Sequence, residues 1–179
     1  MENIRSLKPK APQAGITFRK PTVADGSAVL SLIQDCHPLD ENSHYFYLVQ
    51  CEQFRDTCVL AERDGEVIGW VSAHIPPTEE DSVFVWQVAV SPKARGAKLG
   101  VRMLDALMRR EECRDAERLR TTITPDNDAS WGLFRKFAKM CGAEVSDRPH
   151  YLEEDHFDGA HDTEHLVTLS FAEPYQAAA

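Results

Sequence analysis

Apolar and polar residues follow two different periods along this chain, and each period predicts one type of element. Residues 16–19 (ITFR) predict a first strand, and apolar residues spaced three and four apart predict a helix over about residues 23–36. The stretch HYFYLVQCEQF predicts a second helix. In DTCVLAERDGEVIGWVSAHI two β-rich runs flank Asp64-Gly65, which is typical of a β-hairpin.

The stretch from Val83 to Gly100 organises the rest of the sequence. Its first eight residues, VFVWQVAV, are apolar, aromatic or small apart from Gln87, and they predict a strand buried on both faces. The basic loop Arg95–Gly100 then leads into the amphipathic segment VRMLDALMRR. Backbone N–H groups at such a helix start can bind a phosphate. The loop has neither the P-loop pattern nor the three glycines of a dinucleotide fingerprint.

The last third of the chain continues the pattern. LRTTIT predicts a strand, a helix follows from near Asn127 to Gly142, LVTLSF predicts a last strand, and residues 143–151 can add one more. The order βααβββαβαβ predicts an α/β (α+β layered) fold with a mostly antiparallel front and parallel crossovers. We expect one domain over residues 15–172, with flexible tails at residues 1–14 and 173–179.

Composition narrows the class of protein. No apolar run approaches the length of a membrane span, and the N-terminus has no apolar signal segment. The five cysteines are scattered without C-x-x-C spacing, which favours reduced thiols in a cytosol over disulfides or zinc. A net charge of −9 argues against nucleic acid as a partner.

The charge is unevenly distributed along the chain. Residues 93–110 hold six Lys or Arg and one acid, whereas residues 141–165 hold eight Asp or Glu and one Arg. This asymmetry fits an anionic cofactor beside a cationic substrate, and it equally fits an ordinary solvated surface.

The loop Arg95–Gly100 resembles the cofactor loop of the GNAT superfamily of acyl-CoA-dependent N-acetyltransferases, [RQ]-x-x-G-x-[GA], although Lys98 replaces the middle glycine. Asn127-x-x-Ser130-x-x-Leu133-Phe134 is similar to the N-x-x-[AS]-x-x-L-[YF] of the same superfamily. The resemblance implies a GNAT fold, with a central mixed sheet of six to seven strands and helices on both faces, and acetyl-CoA as co-substrate. The implied cofactor-binding residues are Val88, Ala89, Val90, Arg95, Gly96, Ala97, Lys98, Leu99, Gly100, Asn127, Ser130 and Phe134.

Most of the chain resembles one family within that superfamily, the L-2,4-diaminobutyric acid acetyltransferases, at PLDENSHYFYLVQCEQFRDTCVLAE, FVWQVAV and HDTEHL. The resemblance implies acetylation of the γ-amine of L-2,4-diaminobutyrate for ectoine synthesis and osmoadaptation, in a cytoplasmic homodimer. A small diamine needs acids and aromatic faces around it. The substrate-binding candidates are Asp35, Asp40, Asn42, Tyr45, Trp86, Gln87, His161 and Glu164.

Acetyl transfer from a thioester needs a neutral amine, donors for the developing oxyanion and release of a thiolate. The resemblance implies direct attack by the amine, with backbone donors at a bulge of strand four, here Val88 to Val90. Many GNAT proteins have a tyrosine at position 134 as acid for the thiolate, and Phe134 cannot act in this way. The catalytic candidates are therefore Trp86, Val88 and Tyr151, the last as a substitute acid.

Two alternatives remain at this point. His161-Asp162-Thr163-Glu164-His165 fits H-x-x-E-H, an inverted zinc-protease motif that requires a helix, but the strand pattern LVTLSF follows at once and we expect no metal. Lys98 and Phe134 leave room for an acetyltransferase acting on another small amine, or for a non-catalytic CoA-binding module.

Overall fold

The computed structural model describes residues 15–37, 39–96 and 98–175. The α-helices of this part, α1 to α5, span Gly26–Gln34, His44–Gln53, Leu99–Met108, Asp128–Cys141 and Glu153–His156. The strands, β1 to β7, span Thr17–Arg19, Val59–Arg63, Glu66–His74, Ser82–Val90, Arg118–Ile123, Glu144–Tyr151 and Glu164–Ser170. None of the helices described is long and apolar enough to cross a membrane. The tail expected over residues 1–14 lies outside the described residues.

The strands form one mixed sheet in the order β1-β2-β3-β4-β5-β7-β6. Within the described residues, the β4–β5 pair is parallel and the other five pairs are antiparallel. The predicted hairpin is β2–β3, whose two turn residues, Asp64 and Gly65, have φ values of 56° and 79°, as a type I′ turn requires. The additional strand predicted over residues 143–151 is confirmed as β6.

Two hydrophobic cores lie on opposite faces of the sheet, so the prediction of helices on both faces is confirmed. In β2, Val59 and Ala61 pack with α3 and α4, whereas Leu60 between them packs with α1 and α2. This alternation is the period of two of a strand covered on both faces.

The first helix begins later than its sequence pattern predicts. Residues 23–25 form a 3-10 turn, and α1 starts at Gly26. Thr22 and Asp25 form a capping box at this turn, and Arg19 also binds the Asp25 carboxylate at 2.8 Å.

The folded part of the chain extends past residue 172, where we expected a flexible tail to begin. Tyr175 is 6% exposed, stacks on Phe137 at 5.9 Å and donates a hydrogen bond to the Asp105 carboxylate of α3. An aromatic side chain buried in this way ties the segment after β7 to α3 and α4. Residues 176–179 lie outside the described residues.

Candidate active site

The parallel strands β4 and β5 pair only where they begin and separate beyond that point. Residues 82–84 of β4 pair with residues 118–120 of β5, although β4 continues to Val90 and β5 to Ile123. A gap therefore opens between the carboxyl halves of two adjacent strands in the middle of the sheet.

Backbone amides of β4 point into this gap. The Ser91 N–H donates to the Ile68 carbonyl at 2.9 Å, which sets the alternation of the antiparallel β3–β4 ladder. Because N–H groups alternate in direction along a strand, the N–H of Ala89 also points toward β3. The N–H groups of Val88 and Val90 point away from β3, toward the gap. These two N–H groups are free to donate to a carbonyl or an oxyanion, and the role itself remains a prediction. Ala89 cannot donate in this way, because the ladder uses its amide and its side chain is 1% exposed.

The bulge of β4 lies at Trp86, which corrects the prediction of a bulge at Val88 to Val90. One step along β3 corresponds to two steps along β4, from Gln87 to Val85, so Trp86 is the extra residue. The hydroxyl of Ser72 on β3 accepts a hydrogen bond from the Gln87 N–H at 3.2 Å beside the bulge. Trp86 is 52% exposed.

The basic loop before α3 contains two left-handed backbone positions. Gly96 has φ 86°, and Lys98, directly before α3, has φ 55° and ψ 27°. Lys98 thus adopts a conformation that costs a residue with a Cβ about 1–2 kcal/mol. Arg95 and Lys98 are both exposed, so an anion at the α3 N-terminus can reach their charges. Ala97, predicted in the same loop, lies outside the described residues.

Leu99 and Gly100 can contribute only backbone to a cofactor site, because their other role is packing. Leu99 is 2% exposed in the core. A Cβ added at Gly100 would lie 2.9 Å from Cδ1 of Leu133, so this glycine lets α3 pack closely against α4. The first-turn amides of both residues have no intrahelical partner and face the loop.

The N-terminus of α4 is the other helix start expected to contact the cofactor. Asn127 caps α4, and its side chain accepts a hydrogen bond from the Ser130 N–H at 3.0 Å. Phe134 is 3% exposed and belongs to the core between the helices and the sheet. Its predicted contact with the cofactor remains a prediction.

A loop of residues 39–43, here called the substrate loop, connects α1 and α2 and lies against the bulge of β4. The side-chain Nε2 of Gln87 donates to the Asp40 carbonyl oxygen at 2.9 Å, and Gln87 is 6% exposed. The exposed Trp86 ring packs edge-on against Phe46 of α2 at 5.1 Å. The structure therefore brings Asp40, Trp86 and Gln87 together, while Tyr45 on α2 is 74% exposed.

Glu164, the first residue of β7, completes this side of the gap. Its side chain is 19% exposed, and its Oε2 is buried without a hydrogen-bond partner in the described part of the chain. Burial raises the pKa of Glu164, the nearby Asp40 carboxylate adds to the rise, and the Thr122 hydroxyl and His161 oppose it. The Nε2 of His161 lies 3.8 Å from Oε1 of Glu164.

Two further substrate-binding predictions, Asp35 and Asn42, make no side-chain hydrogen bond to this cluster within the described ranges. Asp35 is exposed at the end of α1, and its carboxylate has no hydrogen bond or ion pair within the described ranges. Asn42 lies in the substrate loop, where its backbone N–H donates to the Tyr47 hydroxyl at 3.2 Å.

Tyr151 is not placed to protonate a thiolate, which corrects its prediction as a substitute acid. It ends β6, the outermost strand, and β7 and β5 both lie between β6 and β4. Three strand spacings correspond to about 14 Å. Tyr151 instead pairs with Glu164 across the β6–β7 ladder and contacts His150 and His156.

The H-x-x-E-H segment does not form the helix that a protease motif requires. His161 lies in a loop and His165 in β7, where its Nδ1 is 2.9 Å from an Asp147 oxygen of β6. Within residues 15–37, 39–96 and 98–175, no group of three or more His, Cys, Asp or Glu is placed to hold a metal ion.

The cysteine thiols are unsuited to nucleophilic catalysis. All five are free, and four are buried. Burial raises the pKa of Cys51, Cys58 and Cys113 to about 12, so these groups stay protonated thiols at neutral pH.

Three residues that contribute to the site were missed from the sequence. Tyr47 holds the substrate loop, Ser72 bonds the bulge, and Thr122 lies beside Glu164. Tyr47 is part of the family segment PLDENSHYFY, which could have indicated it. Ser72 and Thr122 belong to ordinary strand patterns and carry no such signal.

Comparison with known proteins identifies the family of the chain. The model of the acetyltransferase (GNAT) family matches residues 27–138. L-2,4-diaminobutyric acid acetyltransferase of Chromohalobacter salexigens is 45% identical over 160 residues, covering 89% of this chain and 83% of the relative. The protein of the same name from Vibrio parahaemolyticus is 45% identical over 152 residues, covering 85% of this chain and 84% of the relative.

A solved structure is similar over almost the whole chain. Diaminobutyrate acetyltransferase EctA from Paenibacillus lautus, in complex with its substrate L-2,4-diaminobutyric acid and coenzyme A, superposes with a TM-score of 0.83. It is 32% identical in sequence, and the match covers 93% of this chain and 99% of that protein.

Proposed function

The chain belongs to the acetyltransferase (GNAT) family and, within it, to the L-2,4-diaminobutyric acid acetyltransferases, and from this premise we propose its reaction. It transfers the acetyl group of acetyl-CoA directly to the γ-amine of L-2,4-diaminobutyrate, giving N-γ-acetyldiaminobutyrate. The observation that carries the proposal is the β4–β5 gap, with a basic helix start on one side and the Asp40–Trp86–Glu164 cluster on the other.

The cofactor side of the gap suits a pyrophosphate followed by an amide-containing arm. Arg95 and Lys98 supply positive charge beside the first-turn amides of α3, where a diphosphate is favoured. The amides of Val88 and Val90 can then donate to carbonyl groups lying along β4. Acetyl-CoA, when bound, supplies the activated thioester.

The other side of the gap suits a small dication. The Asp40 charge lies close enough to Glu164 to add to the rise in the Glu164 pKa, and an ammonium group bound between the two side chains removes this repulsion. The Trp86 face is exposed beside them and can contact a second ammonium.

The reacting amine must be neutral, although an alkylammonium has a pKa of about 10.4. Deprotonation at pH 7 therefore costs about 4–5 kcal/mol, and a nearby base must accept the proton. Glu164 is suited to this because burial raises its pKa, which strengthens it as a base relative to an ordinary carboxylate. The thiolate has a pKa of about 8.5 and can leave without a phenol, consistent with Phe134.

We extend the proposal to assembly and cellular context. β6 is an edge strand whose residues are mostly exposed on both faces, and such an edge can pair with a second copy in a homodimer. The free thiols and the co-substrate support a cytoplasmic enzyme, and the family resemblance supports a role in ectoine synthesis and osmoadaptation. Sedimentation of the pure protein at a monomer mass would contradict the homodimer.

An acetyl-CoA assay against a panel of amines tests the reaction. The panel contains 2,4-diaminobutyrate, its one-carbon-shorter and one-carbon-longer homologues, a polyamine and a peptide with a free N-terminus. We expect 2,4-diaminobutyrate to be the best substrate, with NMR placing the acetyl group on the γ-nitrogen. Acetylation of the α-nitrogen, preference for another amine, or an acetyl-cysteine in mass spectra would each contradict the proposal.

A further inference from the structure

We propose that Gln87 and Tyr47 are positioning residues that hold the substrate loop and thereby aim the Asp40 carboxylate at the diamine. The inference rests on the proposed function. It adds Tyr47 and gives Gln87, a predicted substrate-binding residue, a role through the loop backbone instead of through contact with the substrate. Neither needs to touch the substrate to affect its binding.

Gln87 reaches the loop from the bulge of β4. Its backbone N–H is held by the Ser72 hydroxyl at 3.2 Å, and its side-chain Nε2 donates to the Asp40 carbonyl at 2.9 Å. A carbonyl only accepts, so the amide must present its nitrogen here, and the orientation of the side chain is determined. Because Gln87 is 6% exposed, little water is available to replace this hydrogen bond.

Tyr47 reaches the same loop from α2. Its side chain is fully buried, and its hydroxyl accepts a hydrogen bond from the Asn42 N–H at 3.2 Å. The loop is thus held at two backbone atoms on either side of Glu41, one by the sheet and one by a helix. Two fixed points so close together leave Asp40 few alternative positions relative to Glu164.

The Oε1 atom of Gln87 suggests a competing role that the experiment must separate. This oxygen is buried and has no hydrogen-bond partner within the described ranges. It could accept directly from a substrate ammonium, in which case Gln87 would bind the diamine independently of Asp40.

The first test measures KM for both substrates in Gln87→Met and Tyr47→Phe. We expect KM for diaminobutyrate to rise about three- to tenfold in each, the range for one lost hydrogen bond, with KM for acetyl-CoA changed less than about twofold. Gln50→Met is the matched control, because Gln50 is equally buried but its side chain bonds Cys58 and not the loop. Tyr47→Phe removes a single oxygen and keeps the test decisive if Gln87→Met does not fold.

The second test is a double-mutant cycle with Asp40→Asn. If Gln87 acts by aiming Asp40, Gln87→Met should add little to the KM of the Asp40→Asn variant. Fully additive effects would overturn the proposal in favour of direct contact, and so would normal kinetics in both single positioning variants. If Asp40→Asn itself has normal kinetics, the proposed substrate site fails, which distinguishes that outcome from failure of the positioning role.

Discussion

The proposed cofactor loop and the proposed substrate cluster lie on two sides of one gap, but the chain builds them in different ways. The cofactor loop is a single run, Arg95–Gly100, and its principal donors are backbone amides at the start of α3. The substrate cluster takes Asp40 from a loop, Trp86 from a bulge and Glu164 from the last strand. The cofactor loop therefore depends on local backbone geometry, whereas the substrate cluster depends on the tertiary fold that brings distant residues together.

This difference shows where each site tolerates change. A backbone site depends on φ and ψ, so Lys98 can replace a glycine provided it accepts a left-handed conformation, and it then adds a charge. A side-chain site depends on the identity of each residue, because no neighbour in the sequence can substitute for a lost carboxylate. Mutations of the two sites should therefore differ in which substrate they affect.

The largest effect should come from reversing the loop charges. Arg95→Glu combined with Lys98→Glu places two negative groups beside a diphosphate, and we expect acetyl-CoA affinity to fall more than about a hundredfold. The control is Lys93→Glu with Arg109→Glu, which makes the same change in net charge at residues paired with Glu66 and Asp105. Calorimetry that found equal affinity in both double variants would remove the loop from the site.

The next largest effect should come from the substrate acids. Asp40→Asn or Glu164→Gln removes a charge-assisted contact worth about 1.5–3 kcal/mol, so kcat/KM for diaminobutyrate should fall about ten- to a hundredfold. Glu164→Gln also removes the proposed base, so its loss should lie at the upper end of this range. Acetyl-CoA affinity should stay nearly unchanged. Asp155→Asn is the control, since it removes an exposed acid of α5 from the same acidic segment. Normal kinetics and γ-selectivity in both variants would show that these acids do not line the site.

The elements of the fold that could be predicted from the sequence are those marked by a pattern among neighbouring residues. The β2–β3 hairpin follows from two β-rich runs and their turn residues, β4 follows from a continuous apolar run, and residues 143–151 predict β6. The four-residue helix α5 is too short for a helical period to be visible. The position of the bulge could not be predicted, because VFVWQVAV contains no glycine or proline and the extra residue is defined only by pairing with β3.

The site was predictable where a motif or family segment marked it. Motifs and family segments predict Arg95, Asp40 and Glu164 as site residues, and these remain predictions, but the strand order cannot be predicted from the chain. The last strand, β7, inserts between β5 and β6, which moves Tyr151 to the edge of the sheet and away from the gap. The buried position of Tyr175 could not be predicted, because a single aromatic residue in a polar segment forms no periodic pattern.

A smaller effect should separate the backbone of Lys98 from its charge. Lys98→Gly relieves about 1–2 kcal/mol of strain from the left-handed backbone conformation. Glycine loses more conformational entropy on folding, which costs about 0.5–1 kcal/mol, so the melting temperature should rise only slightly. Acetyl-CoA affinity should fall about three- to tenfold with the lost charge. Lys98→Ala is the matched control, because it loses the same charge but keeps a Cβ at φ 55° and should not be stabilised. Tighter acetyl-CoA binding by the glycine variant would show that loop geometry outweighs charge.

The smallest effect should be a pH-dependent change in stability at Glu164. Burial raises the pKa of this carboxyl in the folded protein above its unfolded value, so the folded state binds the proton more tightly. Stability is then lost as pH rises from the unfolded pKa through the folded pKa, because an ionised carboxylate must stay buried. Glu164→Gln removes that cost.

The melting temperature of Glu164→Gln should exceed that of the native protein at pH 8 by a few degrees, since about 1 kcal/mol corresponds to about 2–4 °C for a chain of this size. The difference should shrink toward pH 4, where both side chains are neutral. Asp155→Asn should show no such dependence, because Asp155 is exposed on α5. The opposite result would be a melting temperature of Glu164→Gln that falls below that of the native protein as pH rises from 4 to 8. It would mean that favourable contacts stabilise the ionised Glu164 carboxylate, which would then be a weak proton acceptor.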